Sequence, residues 1–204
     1  MPFWQTGVFM TRIEIKQKAK QQLGSNIFSN KWLMALLVLL IVSIASGIAG
    51  SVVPALGAIL ITGPLTYAVA YIFLKQARDN EPMSLEHLLK GFSDCFADSF
   101  LIGLMTAIFT ALWSLLFVIP GIVKAFSYSM AYYIKCDHPE YNWRQCINES
   151  TRIMNGHKME LFIQHLSFIG WYIVGSFVLG VGVLWVAPYH QAATTHFYLS
   201  IKDN

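Results

Sequence analysis

Residues 161–201 form a run of 41 amino acids without a single Asp, Glu, Lys or Arg, closed by Glu160 on one side and Lys202 on the other. As one helix this run would be about 62 Å long at roughly 1.5 Å per residue, twice the ~30 Å hydrocarbon core of a bilayer. It therefore reads as two membrane spans, at 161–179 and 183–201. The turn is expected at Gly180-Val181-Gly182, because glycine accepts the positive φ that ends a helix. Glu160 and Lys202 then return to one side.

The same reasoning applies twice more along the chain. Between Lys31 and Lys75 lie 43 residues without a formal charge. A break at 51–57, around Pro54, gives spans at 32–50 and 58–74. Residues 99–123 are also uncharged; a span at 100–119 leads to a turn at Pro120-Gly121 and a short return span at 122–134, which holds Lys124. With 55% hydrophobic and 12% charged residues, the chain has about half the charge of a typical soluble domain. The expected fold is an all-α, polytopic membrane helix bundle: a single domain over 1–204 with six transmembrane helices arranged as three hairpins.

Polar segments lie between the hairpins. Residues 11–23 place Ile13, Ala19 and Leu23 among Arg12, Lys16, Lys18 and Lys20, a basic helix suited to an anionic membrane surface, ending at Gly24. Ser84 caps a short amphipathic helix over 84–89 that stops at Gly91. Residues 142–155 form a third, with Trp143, Cys146, Ile147, Ile153 and Met154 on an apolar face, Arg144, Glu149 and Arg152 toward water, and Gly156 as its stop. The first apolar run follows a basic stretch as a signal peptide would, yet that stretch is too long and the run continues into a second span.

Six spans put thirteen of the fourteen Lys and Arg residues, and all eleven acidic ones, on the same side. The positive-inside rule makes that side cytoplasmic, termini included, and the expected location is the cell membrane. The other side has only three short turns and no domain to carry chemistry. Cys95, Cys136 and Cys146 show no CxxC or paired spacing and read as reduced cytosolic thiols. Pro64, Pro120 and Pro188 each fall in the second span of a hairpin; internal repetition and ordinary transmembrane composition both account for this pattern.

Several stretches carry a family resemblance: Ile119-Pro120-Gly121-Ile122-Val123-Lys124 followed by residues 126–131, Gly156-His157-Lys158 leading to Leu161-Phe162, residues 166–171, and Leu184-Trp185-Val186-Ala187-Pro188-Tyr189 through Phe197-Tyr198. Together they resemble a family of small integral membrane proteins, mostly from Gram-positive bacteria, catalogued as domain of unknown function 975. The resemblance covers nearly the whole chain and is most specific from Ile119 onward. More remotely the chain is similar to the membrane domain that precedes some glycerophosphodiester phosphodiesterases, without room for their catalytic domain. The resemblance implies an architecture and no mechanism.

The candidate binding residues are Lys124, Tyr128, Trp171, Tyr189 and His190. Lys124 is the only formal charge inside a predicted hairpin. It either snorkels to the interface or anchors a lipid phosphate or an acidic group of a partner. His165, His190 and His196 lie in the last hairpin; His190 and His196 are six apart and so on different helix faces, unlike a zinc pair at i, i+4. No intramembrane carboxylate is available for a proton relay. No catalytic, nucleotide-binding or nucleic-acid motif occurs. These patterns imply no metal, no cofactor, no nucleic acid and no enzyme activity. They point to a non-catalytic module that binds lipids, with anionic lipids at the cytoplasmic face, or a partner membrane protein. The rival readings are a transporter or channel for a small or amphiphilic solute, using helices broken at the prolines, and a membrane-embedded lipid enzyme.

Overall fold

The computed structural model describes residues 10–24, 28–52, 56–177 and 181–202, and every regular element among them is helical. Helix α1, Arg12–Leu23, opens on a capping box: the Thr11 hydroxyl accepts from the Glu14 N–H at 3.4 Å, and the Glu14 carboxylate accepts from the Thr11 N–H at 2.7 Å, so two otherwise orphaned donors are satisfied. Gly24, at φ +98°, ends it. The chain continues through α2 (Asn30–Val52), α3 (Leu56–Asp79), a 3-10 helix (Leu85–Leu89), α4 (Lys90–Ser93), α5 (Phe96–Leu116), α6 (Val118–Tyr128), α7 (Ala131–Asp137), α8 (Trp143–Ile153), α9 (Lys158–Phe177) and α10 (Val181–Ile201). Among the described residues the expected spans lie on helix except at Phe117 and at 129–130, and residues 178–179 lie outside the described residues. The expected break at 51–57 contains residues 53–55, and the expected turn contains Gly180; both lie outside the described residues.

By length and composition, α2 over Asn30–Ile48 and α5 over Phe96–Leu116 are apolar enough to cross a membrane. Beyond Lys158 and Glu160 in the first turn of α9, the absence of formal charge in α9 and α10 is offset by neutral polar residues, among them Gln164, His165, His190, Gln191 and His196. From Leu161 onward the two helices carry no formal charge but are not uniformly apolar.

Three expectations are corrected. The second hairpin turns at Phe117, whose extended backbone (φ −156°, ψ 139°) separates α5 from α6. Pro120 instead sits in the first turn of α6, where a missing N–H costs no hydrogen bond. Gly121 lets α6 press on α5 at Ser114, where a Cβ would collide. Next, the stretch 122–134 expected as a return span is not one helix: α6 ends at Tyr128 and α7 begins at Ala131. The Ser150 hydroxyl of α8 bridges the break, accepting from the Met130 N–H at 3.1 Å and donating to the Ser127 carbonyl at 2.8 Å. Finally, Gly91 does not stop the short amphipathic helix. The 3-10 turn runs on into α4, and Gly91 is buried against the Pro64 backbone, with no room for a side chain.

The chain forms two compact units. Unit 1 comprises Met1–Leu40, Phe73–Met83 and Met159–Asn204; unit 2 comprises Ile41–Ile72 and Ser84–Lys158. In unit 1, α1 packs on α10, with Ile15, Ala19 and Leu23, four residues apart, fully buried. Spacing of four keeps side chains on one helical face. Ile13, an apolar residue of the same helix, is exposed. Helices α9 and α10 meet at glycine, where a Cβ on Gly182 would lie 2.6 Å from the Gly175 Cα. Gly170 faces open space and takes no part in close packing. In unit 2, α5 packs against α6, α7 and α8, around Ile102, Met130, Ile134, Cys146 and Met154. Asn142 and Gln145 close a capping box on α8, and Gly156 at φ +89° follows its end as expected.

Candidate functional site

The buried cation of unit 2 is Lys135 on α7, 2% exposed. Its ammonium donates to Asp98 Oδ2 at 2.6 Å and to the carbonyls of Pro139 and Tyr141 at 2.9 and 2.7 Å. Three donors meet three acceptors, so the group ties α7 to the start of α5 and to the following loop and has nothing left to offer a ligand. The cysteines are free thiols. Burial pushes the Cys146 thiol up to about 11 and raises that of Cys95, which hydrogen-bonds Tyr67. Raised thiols are poor nucleophiles at neutral pH.

Two of the sequence-predicted residues also sit in unit 2. Lys124, on α6, lies 5.1 Å above the ring of Trp113 on α5, an attraction to the face of the indole that a neighbouring helix supplies. Tyr128 packs toward Phe109 with ring centres 6.2 Å apart. Both contacts join α5 to α6 within unit 2, whereas the other three predicted residues belong to unit 1.

Unit 1 gathers what the sequence leaves scattered. His190 on α10 lies edge-on to His165 of α9 at 4.6 Å and stacks on Phe168 at 4.7 Å. The Tyr172 hydroxyl is 3.2 Å from His190 Nδ1. Tyr189 meets Phe168 at 5.1 Å and Trp32 of α2 at 6.3 Å. Tyr189 and His190 are thus brought into one cluster. Trp171 is not: adjacent to Tyr172 but about a third of a turn around α9, it is 56% exposed, as helical geometry requires.

Above this cluster α1 supplies cations. The Lys16 ammonium lies 5.0 Å from the centre of the Phe168 ring. Burial lowers its pKa, and the neighbouring charge of Arg12 lowers it further. His196 hydrogen-bonds the backbone of Lys18.

The same unit holds buried polar atoms with no hydrogen-bond partner among the described residues. Gln22 Nε2 donates to the Phe73 carbonyl at 2.9 Å and to Gln76 Oε1 at 3.0 Å, yet Gln22 Oε1 and Gln76 Nε2 are unpartnered. Gln164 is 1% exposed and neither its Oε1 nor its Nε2 is bonded. Trp32 Nε1 and the Nε2 atoms of His190 and His196 are in the same position. A buried donor or acceptor left unmade costs roughly 1–3 kcal/mol, so these groups still have hydrogen bonds to make. No cluster of three or more potential metal ligands occurs among the described residues, and two imidazoles alone do not complete a zinc site.

Sequence reasoning missed Lys16, Gln22, Gln76 and Gln164. One signal was present: Leu161, Gln164 and Phe168 are spaced three and four apart, so the glutamine shares a stripe with residues that had to be buried. The convergence of α1 with α9 and α10 is long-range and leaves no local trace.

A family model described as a protein of unknown function (DUF975) matches residues 10–127 and 115–204. Comparison with curated proteins gives no match, and comparison with solved structures gives none either.

Proposed function

The chain belongs to the DUF975 family, and because that family's description assigns no activity, we propose a function from the site and surface: an integral, multi-pass membrane protein that binds lipid without chemically altering it. One observation carries this reading, the inverted distribution of its side chains. Along the α5–α6 hairpin Leu115, Leu116, Phe117, Val118 and Ile119 are 66–87% exposed. On α9 Leu166, Ile169, Ile173 and Val174 are all at least half exposed. Meanwhile Gln22, Gln76, Ser99, Ser127, Lys135, Ser150, Gln164 and His196 are buried. Exposed apolar side chains in such number on each unit are unfavourable against water and ordinary against acyl chains.

In this reading the spans are α2, α3, α5, the α6–α7 pair, α9 and α10, as three hairpins with both termini cytoplasmic. Lipid binding is favoured over catalysis because the buried polar groups of unit 1 include amides and imidazoles but no paired carboxylate or activated nucleophile. The experiment is topological. In a cysteine-free background, Phe117→Cys is expected to react with a membrane-impermeant maleimide in intact cells, and Glu140→Cys only in inverted vesicles. Release of the protein by alkaline carbonate, or labelling of both positions from one side, would sink the reading.

A second reading, a carrier for a small or amphiphilic solute, draws on the interruption between α6 and α7, since discontinuous helices recur at transport sites. Flux into proteoliposomes above an empty-vesicle control, abolished by Ser150→Ala, would favour it.

A further inference from the structure

The chemistry of unit 1 narrows the ligand, and this step rests on the membrane reading above. Lys16 is a partly desolvated cation with no acidic side chain among the contributors to its electrostatics; the neighbour that acts on it, Arg12, is also positive. Four residues before Phe168 on α9, about 6 Å along the axis at 1.5 Å per residue, Gln164 presents an unbonded donor and an unbonded acceptor. On α10, His190 stacks on the same Phe168 with its Nε2 unbonded.

A group that meets these needs must bring negative charge to Lys16 and acceptor oxygens to the Gln164 and His190 nitrogens. It must also bring a hydroxyl that donates to Gln164 Oε1. We infer that the α1–α9–α10 cluster is a binding site for a phosphate ester bearing hydroxyl groups, and that in the membrane this is the headgroup of an anionic phospholipid. Lys16 supplies the charge, Gln164 and His190 the hydrogen bonds, and Phe168, Tyr189 and Trp32 the apolar wall beside the headgroup. Anionic lipid is thereby distinguished from zwitterionic lipid, because a choline headgroup carries no hydroxyl donor and adds a cation next to Lys16.

The test uses the full chain, purified in neutral detergent and washed free of lipid, with the unfolding midpoint followed by tryptophan fluorescence. Phosphatidylglycerol in mixed micelles is expected to raise the midpoint in a saturable way, and phosphatidylcholine with identical acyl chains to leave it unchanged. Lys16→Gln should lose the phosphatidylglycerol shift, whereas Lys20→Gln, at an exposed position of the same helix, should keep it. Gln164→Leu should lose the shift while remaining folded, because an apolar side chain is accommodated on that buried stripe.

Soluble glycerol 3-phosphate giving the same shift as the lipid would support the site and move its source to a water-soluble ester. Equal shifts from phosphatidylglycerol and phosphatidylcholine, or a full shift in both Lys16→Gln and Gln164→Leu, would overturn it. A protein that labels as six-span yet shows no headgroup selectivity would retain the membrane reading and lose this site.

Discussion

The two units bury polar side chains in opposite ways. In unit 2, Lys135 meets three acceptors, Ser150 both accepts and donates across the α6–α7 break, and Ser99 donates to the carbonyls of Gly91 and Phe96. In unit 1, Gln22, Gln76, Gln164, Trp32, His190 and His196 are each left with at least one polar atom unbonded among the described residues. Satisfied buried groups specify a structure, because any rearrangement breaks them. Unsatisfied ones are costly to the protein alone and are retained where something else completes them. On the lipid-binding proposal, the difference separates a scaffold from a site.

The largest expected effect breaks the scaffold. Lys135→Ala leaves Asp98 without its partner and two loop carbonyls without a donor. Removing one member of a buried pair costs about 3–5 kcal/mol, so the variant should unfold at much lower temperature in detergent, or fail to accumulate in the membrane. Wild-type thermal stability would show that unit 2 is not held as argued. Ser150→Ala is the next step down. It orphans the Met130 N–H and removes a bond to Ser127 O, for a loss of roughly 1–3 kcal/mol. Hydrogen exchange should localise the damage to residues 127–131 between α6 and α7, with α1 unaffected.

Much of the helical framework of both units was legible in the sequence, and the reasons are local. Long runs without formal charge locate the helices α2, α3, α5, α9 and α10, of which α2 and α5 are long and apolar enough to cross a membrane. Thr11, Ser84 and Asn142 announce helix starts through side-chain capping, and Gly24 and Gly156 announce ends through positive φ. Pro120-Gly121 misled because the pair suits a turn and equally suits the first turn of a helix; packing against Ser114 decided it. The break after Tyr128 was hidden because the residue that stabilises it, Ser150, lies more than twenty positions away. For the site, His190 and Tyr189 were visible as polar and aromatic residues in an apolar run. Their partners His165, Phe168, Tyr172, Trp32 and Lys16 come from three other helices, and no periodicity within α10 encodes them.

In unit 1 the sign of a polar-to-apolar change should reverse. Gln164→Leu removes two unbonded polar atoms and fills similar volume with hydrocarbon, so the lipid-free protein should gain on the order of 1 kcal/mol, where Ser150→Ala loses stability. The comparison is direct: both residues are almost fully buried, and they differ in whether their hydrogen bonds are made. Midpoints for the two variants, measured side by side in lipid-free detergent, decide it. A Gln164→Leu protein that is destabilised as strongly as Ser150→Ala would mean that Gln164 is satisfied in solution, and the contrast between the units would collapse at its central residue.

The smallest effect sharpens the comparison at the helix starts. Unit 1 begins α1 with a capping box that uses a carboxylate, Glu14, whereas unit 2 begins α8 with a neutral one, Asn142 and Gln145. The Glu14 carboxyl is held below its usual range, first by the Thr11 backbone N–H and then by the Thr11 hydroxyl. A depressed folded-state pKa contributes stability that is present above the ordinary carboxylate pKa and is lost as pH falls through the folded value. Acid should therefore release the Thr11 amide from its bond to Glu14 while the Asn142 amide, bonded to Gln145 Oε1 at 2.9 Å, is unmoved. Exchange protection of those two amides, corrected for intrinsic rates, should diverge as pH is lowered, and Glu14→Gln should abolish the divergence. Because α1 carries Lys16 onto Phe168, the same acid step should also weaken phosphatidylglycerol binding through the mobility of α1, and it should do so less in Glu14→Gln than in the wild type.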